Sequence, residues 1–259
     1  MSDIITDTPV VMSITGHDPS GGGGISADIE TLSSLGCHCT PIVSQLVARD
    51  THSLKDLIVT DTGLLIEQIR ALLEDIPINL LNIGSVGSIG HIEAIHTILN
   101  DYPYIPVIFH PRLSGAEGDM GSAMATLLLP QSKVAVLSKE DALSLAPGAD
   151  TLSAGAQELL EYGSENLLII GDDSSTNTIG HHWFAQSGHS QQYQWQRLPN
   201  IYYGANSTLC AALSAYLAHG LSLAESIQQA QQFCWQSLQQ GRRIGMGKLL
   251  PNRMHWSGK

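Results

Sequence analysis

The chain has 259 residues, 43% of them hydrophobic and 14% charged, with a formal net charge of −12 at pH 7. That length and apolar content support a sizeable core without disulfide or metal staples, and they exclude a disordered chain. The negative charge argues against nucleic acid and anionic membrane surfaces as partners, because both demand a positive face. Cys37, Cys39, Cys210 and Cys234 fall in apolar runs without paired CxxC spacing, as expected of reduced thiols in a cytoplasmic protein. The first ten residues carry acids where a secretory leader needs bases. No apolar run approaches the ~20 residues of a membrane span.

In chain order, short runs rich in β-branched residues predict strands at residues 10–15, 41–47, 80–83, 106–110, 134–137 and 167–170. Between them, apolar periodicity predicts helices over residues 25–35, 62–73, 89–99, 120–129 and 152–162. In the second of these, Leu65, Ile66, Ile69, Leu72 and Leu73 recur on one buried face. Apolar strands separated by helices imply a mostly parallel sheet covered on both faces, an α/β fold. Beyond residue 175, residues 179–185 and 191–198 read as an antiparallel edge hairpin turning at Ser187-Gly188. Helices over residues 207–219 and 223–240 close the chain, with Gly220 as the stop between them. No repeat or long linker interrupts residues 1–259, which read as one domain. Its ligands belong beyond the carboxyl ends of the strands.

The first strand runs into Gly16-His17-Asp18-Pro19-Ser20-Gly21-Gly22-Gly23-Gly24, and a helix opens with Ile25-Ser26-Ala27-Asp28. Consecutive glycines let a backbone approach a ligand closely and offer amides at a helix N-terminus, where anions are favoured. Gly22-x-Gly24-x-x-Ala27 meets a relaxed dinucleotide fingerprint, but the acid required about 20 residues later is missing. No Walker A motif occurs.

The segment from Ser13 to Asp28, followed by Thr31 and Leu35-Gly36, resembles the signature of the hydroxymethylpyrimidine/phosphomethylpyrimidine kinase family. That family belongs to the ribokinase-like superfamily and is related to pyridoxal kinases. Leu46-Val47-Ala48, Ile83-Gly84 and Gly245-x-Gly247 extend the match. The resemblance implies a ribokinase-like fold, a homodimer, and Mg²⁺-dependent transfer of the ATP γ-phosphoryl group to the hydroxymethyl or phosphomethyl group of the thiamin pyrimidine. It implies a ring pocket built from Gly16, Asp18, Gly21, Gly22, Val47 and Gly84. It also assigns Asp28 to the ring, and a carboxylate can indeed accept from an exocyclic amine.

Several positions depart from the family pattern. The catalytic Gly-Thr-Gly-Cys reads Gly204-Ala205-Asn206-Ser207. An unactivated serine is a poor general base, and Asn206 and Ser207 also suit plain helix capping. Asp-Pro after the fourth strand reads His110-Pro111, Thr-Pro-Asn after the fifth reads Leu137-Ser138-Lys139, and Lys-Gly-Gly-His after the sixth reads Ile170-Gly171-Asp172-Asp173. A pocket glutamine reads Arg49 and a methionine reads Ser85. The nucleotide-side candidates Lys139, Gly171, Asp172, Gly245 and Gly247 thus sit where the pattern is most changed. Arg49, and His110 when protonated, add phosphate donors. Together with the amides of residues 21–24 they suit a ring already phosphorylated, such as pyridoxal phosphate or the pyrimidine monophosphate. Two readings follow: a kinase with a reworked catalytic turn, or a relative that binds such a ring without turnover.

Overall fold

A computed structural model describes residues 8–112, 119–172 and 177–258. The acidic residues of the first seven positions and Asp173 lie outside the described residues. In chain order the elements are β1 (Val10–His17), α1 (Gly24–Ser34), β2 (His38–Arg49), β3 (Leu54–Val59), α2 (Thr62–Asp75), β4 (Leu80–Ile83), α3 (Ile89–Asp101), β5 (Val107–Phe109), α4 (Met120–Ala123), β6 (Val134–Ser138), α5 (Lys139–Leu145), α6 (Leu152–Glu161), β7 (Asn166–Asp172), β8 (Thr178–Ala185), β9 (Ser190–Gln196), α7 (Ala205–Ala218) and α8 (Leu223–Gln239).

The strands form one sheet in the order β3-β2-β1-β4-β5-β6-β7-β8-β9. β2 through β7 run parallel, while β3, and then β8 with β9, add antiparallel edges. Residues 80–83 are all buried, as a strand covered on both faces requires. One apolar layer packs α2, α3 and α6 on the sheet through Leu65, Ile69, Ile92, Ile95 and Leu159. The other packs α1, α7 and α8 through Leu32, Leu209, Leu213, Ile227 and Phe233. Residues 208–215 of α7 are buried without interruption, so this helix is enclosed on all sides. The chain leaves β1 for β2 and β3 and returns to β4 on the other side of β1. The crevice at the carboxyl ends of β1 and β4 is therefore a topological switch point, where such sheets bind ligands.

Three expectations need correction. The sheet has an antiparallel edge on both sides. β3 carries Leu54, Leu57 and Ile58 among Lys55 and Asp56, with no clean alternation to announce a strand. The helix expected over residues 120–129 is α-helical only in its first turn, then continues as a π turn over Met124–Leu128 and a 3₁₀ turn over Leu129–Gln131. Pro130 has no N–H to give to a carbonyl four residues back, so the regular ladder cannot continue. α5 was not expected, although Ser138 caps it by accepting from the Asp141 amide at 3.0 Å. All four cysteines are free. No helix among the described residues is long and apolar enough to cross a membrane.

Candidate active site

A cleft of about 920 Å³ opens at the carboxyl ends of the strands. From the expected set it is lined by Gly16, Asp18, Val47, Arg49, Ser85, His110, Gly204, Ala205, Asn206 and Ser207. In a chain of net charge −12 it gathers Arg49, Arg112 and Lys248 against Asp18 and Asp141. That balance favours an anionic ligand.

The glycine loop is closed on itself rather than open to an anion. Asp18 accepts from the Ser20 amide at 2.8 Å, the Ser20 hydroxyl at 2.7 Å and the Gly23 amide at 3.0 Å. The Gly21 amide donates to the Asp18 carbonyl at 3.1 Å, the Gly22 amide to Ser20 Oγ at 3.3 Å, and the Gly24 amide to Ser207 Oγ at 3.3 Å. Every amide from Ser20 to Gly24 thus has a partner, which overturns the expected phosphate cradle. Arg253 holds the carbonyls, donating to Gly21 at 3.1 Å and Gly22 at 2.6 Å. Gly21 and Gly22 accordingly do not line the cleft.

The reason for a glycine at position 22 is packing. A Cβ there would overlap the ring of Tyr203. The guanidinium of Arg49 lies 3.6 Å from the centroid of that same ring. Burial and the Asp18 charge push the Tyr203 hydroxyl up to about 12. Arg49 is therefore held in the cleft wall, not on a solvated loop.

The catalytic-turn candidates sit at the start of α7. Gly204 is its N-cap, with φ +94, and a Cβ there would overlap the Gly22 carbonyl oxygen. Asn206 and Ser207 are second and third in the helix, so neither is the cap that plain capping required. The first intrahelical bond runs from Thr208 N to Gly204 O at 3.0 Å. The amides of Ala205, Asn206 and Ser207 lie beyond the reach of intrahelical acceptors, and all three residues line the cleft. Among the described residues no titratable side chain hydrogen-bonds Ser207.

His110 is desolvated, which pushes its pKa down to about 4, and its Nε2 has no partner. It therefore stands neutral near pH 7 and cannot act as the protonated phosphate donor expected. Gly84 lies against it without lining the cleft: a Cβ would come 2.8 Å from His110 Cε1. Asp28 also lies outside. It is fully buried beneath α1, where Ser13 Oγ and Asn82 Nδ2 donate to its Oδ2. A carboxylate sealed in the core cannot read a ring in the cleft.

On the nucleotide side the structure rearranges the candidates. Lys139 Nζ pairs with Asp172 Oδ1 at 2.8 Å, and His182 Nε2 meets Asp172 Oδ2 at 3.1 Å. Lys139, Gly171 and Asp172 do not line the cleft; Ser138, Asp141 and Ile170 do. Gly245 and Gly247 pack on Thr51, whose Oγ1 accepts from the Gly247 amide at 3.0 Å, while neighbouring Lys248 reaches the cleft. Tyr203, Arg112, Asp141 and Lys248 were missed from sequence. Only Asp141 had a signal, the capping pattern Ser138-x-x-Asp141 at the start of α5.

Comparison with known proteins agrees with this architecture. The model of the phosphomethylpyrimidine kinase family matches residues 18–252. The hydroxymethylpyrimidine/phosphomethylpyrimidine kinase of Escherichia coli K12 is 29% identical over 252 residues, covering 91% of this chain and 93% of that one. Bacillus subtilis pyridoxal kinase, solved as an ADP complex, superposes with a TM-score of 0.88 at 18% identity, over 97% of this chain and all of that one. The phosphomethylpyrimidine kinase of Clostridium difficile 630 superposes with a TM-score of 0.75 at 21% identity, over 86% of this chain and 98% of that one. The sheet is thus of the ribokinase-like type, and the chain belongs to the phosphomethylpyrimidine kinase family.

Proposed function

We propose that this chain transfers the γ-phosphoryl group of ATP to a ring of the thiamin-pyrimidine type bound in the cleft. One juxtaposition supports the reading: the first turn of α7, whose amides have no intrahelical acceptors, lines the same cleft as Arg49, Arg112 and Lys248. Phosphoryl transfer depends mainly on positioning and on stabilising negative charge spread over the transferring oxygens. Helix-start amides and cations in one cleft do both.

Mg²⁺ commonly uses one or two carboxylates and completes its shell with phosphate oxygens and water. Asp141 fits that role, since it stands in the cleft wall with its Oδ2 held by Ser138 Oγ at 2.9 Å. Asp18 does not, because the glycine loop engages it. When bound, the ion would neutralise phosphate charge. In this reading Ser207, which lines the cleft, faces the acceptor; among the described residues no base hydrogen-bonds it, so proton removal rests on the acceptor's own acidity. A phosphate acceptor is already ionised and places less demand on Ser207 than a hydroxymethyl group.

Purified protein with ATP, Mg²⁺ and the pyrimidine substrates is expected to release ADP. Ser207→Cys is expected to raise kcat at least about tenfold, since a thiol ionises far more readily near neutral pH. No ADP release above background from either the hydroxymethyl or the phosphomethyl substrate overturns the reading.

That no base among the described residues hydrogen-bonds Ser207 favours a second reading, a relative that binds the ring without turnover. Titration calorimetry separates the two: binding of a phosphorylated ring with no binding of ATP–Mg²⁺ supports the second.

A further inference from the structure

We propose that Arg49 selects a ring that already carries a phosphomonoester, making the phosphomethyl ring the preferred substrate class over the hydroxymethyl ring. The inference rests on the reading of the cleft as the ring site.

Arg49 is a preorganised fork. Its side chain is only 7% exposed. The guanidinium is stacked on Tyr203, and Tyr203 is itself fixed against the backbone at Gly22. Nε donates to the Asp50 carbonyl at 3.2 Å and lies 3.9 Å from Asp18 Oδ2. These contacts use one edge of the guanidinium. Nη1 and Nη2 have no acceptor among the described residues, although the residue lines the cleft. Two parallel donors on a rigid plane match two oxygens of a phosphate, and holding the plane in advance removes much of the entropy cost of binding. Arg112 adds positive charge in the same neighbourhood, because both arginines act on the Tyr203 hydroxyl.

Sheet order places this phosphate on the ring rather than on the nucleotide. Arg49 ends β2, whereas Ser138 and Asp141 follow β6, with β1, β4 and β5 between them. Four strand spacings separate the two by roughly 19 Å. Tyr203, however, directly precedes Gly204. The fork therefore stands beside the first turn of α7, where an acceptor phosphate is needed.

The test is titration calorimetry without nucleotide, using phosphomethyl- against hydroxymethylpyrimidine, pyridoxal phosphate against pyridoxal, inorganic phosphate, and ATP–Mg²⁺. The wild-type protein is expected to bind the phosphorylated member of a pair about 10- to 100-fold more tightly, the scale of a charge-assisted hydrogen-bonded pair. Arg49→Gln should bring that ratio within about threefold, with the loss falling mainly on the phosphorylated member of each pair. Arg49→Lys keeps the charge but loses the fork and the stack, so it should fall between the two. A wild-type protein without preference overturns the inference whether or not the variants fold. So does an Arg49→Gln protein whose ATP affinity falls while the ring ratio stays, since the phosphate recognised would then be the nucleotide's. Equal turnover of both pyrimidines leaves the kinase reading standing and removes this one; failure of every ring to bind removes both.

Discussion

Asp28 lies on the inner side of α1, fully buried, with Ser13 and Asn82 donating to Oδ2 and no partner at Oδ1. Burial pushes its carboxyl up from 3.8 to about 7, against the smaller opposing effects of Ser13, Arg253 and Asn82. The folded protein therefore keeps a proton that the unfolded chain releases near pH 4. This group's contribution to stability is fully present below pH 4, declines as pH rises toward 7, and is flat above that. The change is on the order of 4 kcal/mol across that window. Asp28→Asn, a neutral isostere, is expected to remove this decline, read as a stability difference from the wild type that grows with pH in urea unfolding at pH 5, 6, 7 and 8. A variant as steep as the wild type would show that another group carries it. His110, pushed down to about 4 by burial, acts in the opposite sense: below its ordinary 6.5 the unfolded chain takes up a proton that the folded chain does not, so its own contribution to stability rises with pH over that range. At this scale the sequence pointed to Arg49, Ser85 and Ser207, which line the cleft, but not to their surroundings. Nothing near residue 28 in the sequence says that its carboxyl faces β1 and β4 instead of the cleft.

The start of α7 shows how one element depends on another's backbone. Gly204 adopts φ +94 and abuts the Gly22 carbonyl oxygen, so both dihedral and volume demand glycine. Gly204→Ala is expected to cost at least about 2 kcal/mol, read as a lower urea midpoint at unchanged m-value. A loss below about 0.5 kcal/mol would mean that the two turns do not press on each other. Elements were legible where one physical signal dominated. The apolar runs at residues 80–83 and 167–170 and the periodic face at Leu65 and Ile69 each declared their structure locally. Gly220 marks the end of α7 as expected, with φ +85 and its amide on the Leu217 carbonyl at 2.9 Å. β3 and the π turn after α4 were not legible. The first is an edge strand whose pairing with β2 supplies the order, and the second is an irregularity imposed by Pro130.

Arg253 ties the far end of the chain to its beginning. It donates to the Gly21 and Gly22 carbonyls, to Thr208 Oγ1 at 3.0 Å, and to Glu30 Oε2 at 2.8 Å. The guanidinium thereby joins the glycine loop, α1, α7 and the C-terminal segment. Arg253→Met keeps the length and removes the donors. It is expected to lower stability by about 2–4 kcal/mol and to speed proteolytic cleavage around residues 20–24, monitored by mass spectrometry. Unchanged cleavage would show that Asp18 alone holds the loop.

The sequence by itself determined the alternation of strands and helices, the position of the glycine loop, the family and the place of the cleft. Each follows from local periodicity or from a contiguous motif. Tertiary structure alone decided what those residues do once brought together. It turned the glycine amides inward onto Asp18, Ser20 and Ser207. It paired Lys139 with Asp172, set Gly245 and Gly247 against Thr51, and stacked Arg49 on Tyr203. Each of these is a contact between side chains or backbone groups whose partner is fixed by strand order and packing. Donor and acceptor chemistry is written in the chain, but which donor meets which acceptor is settled only when the sheet is assembled.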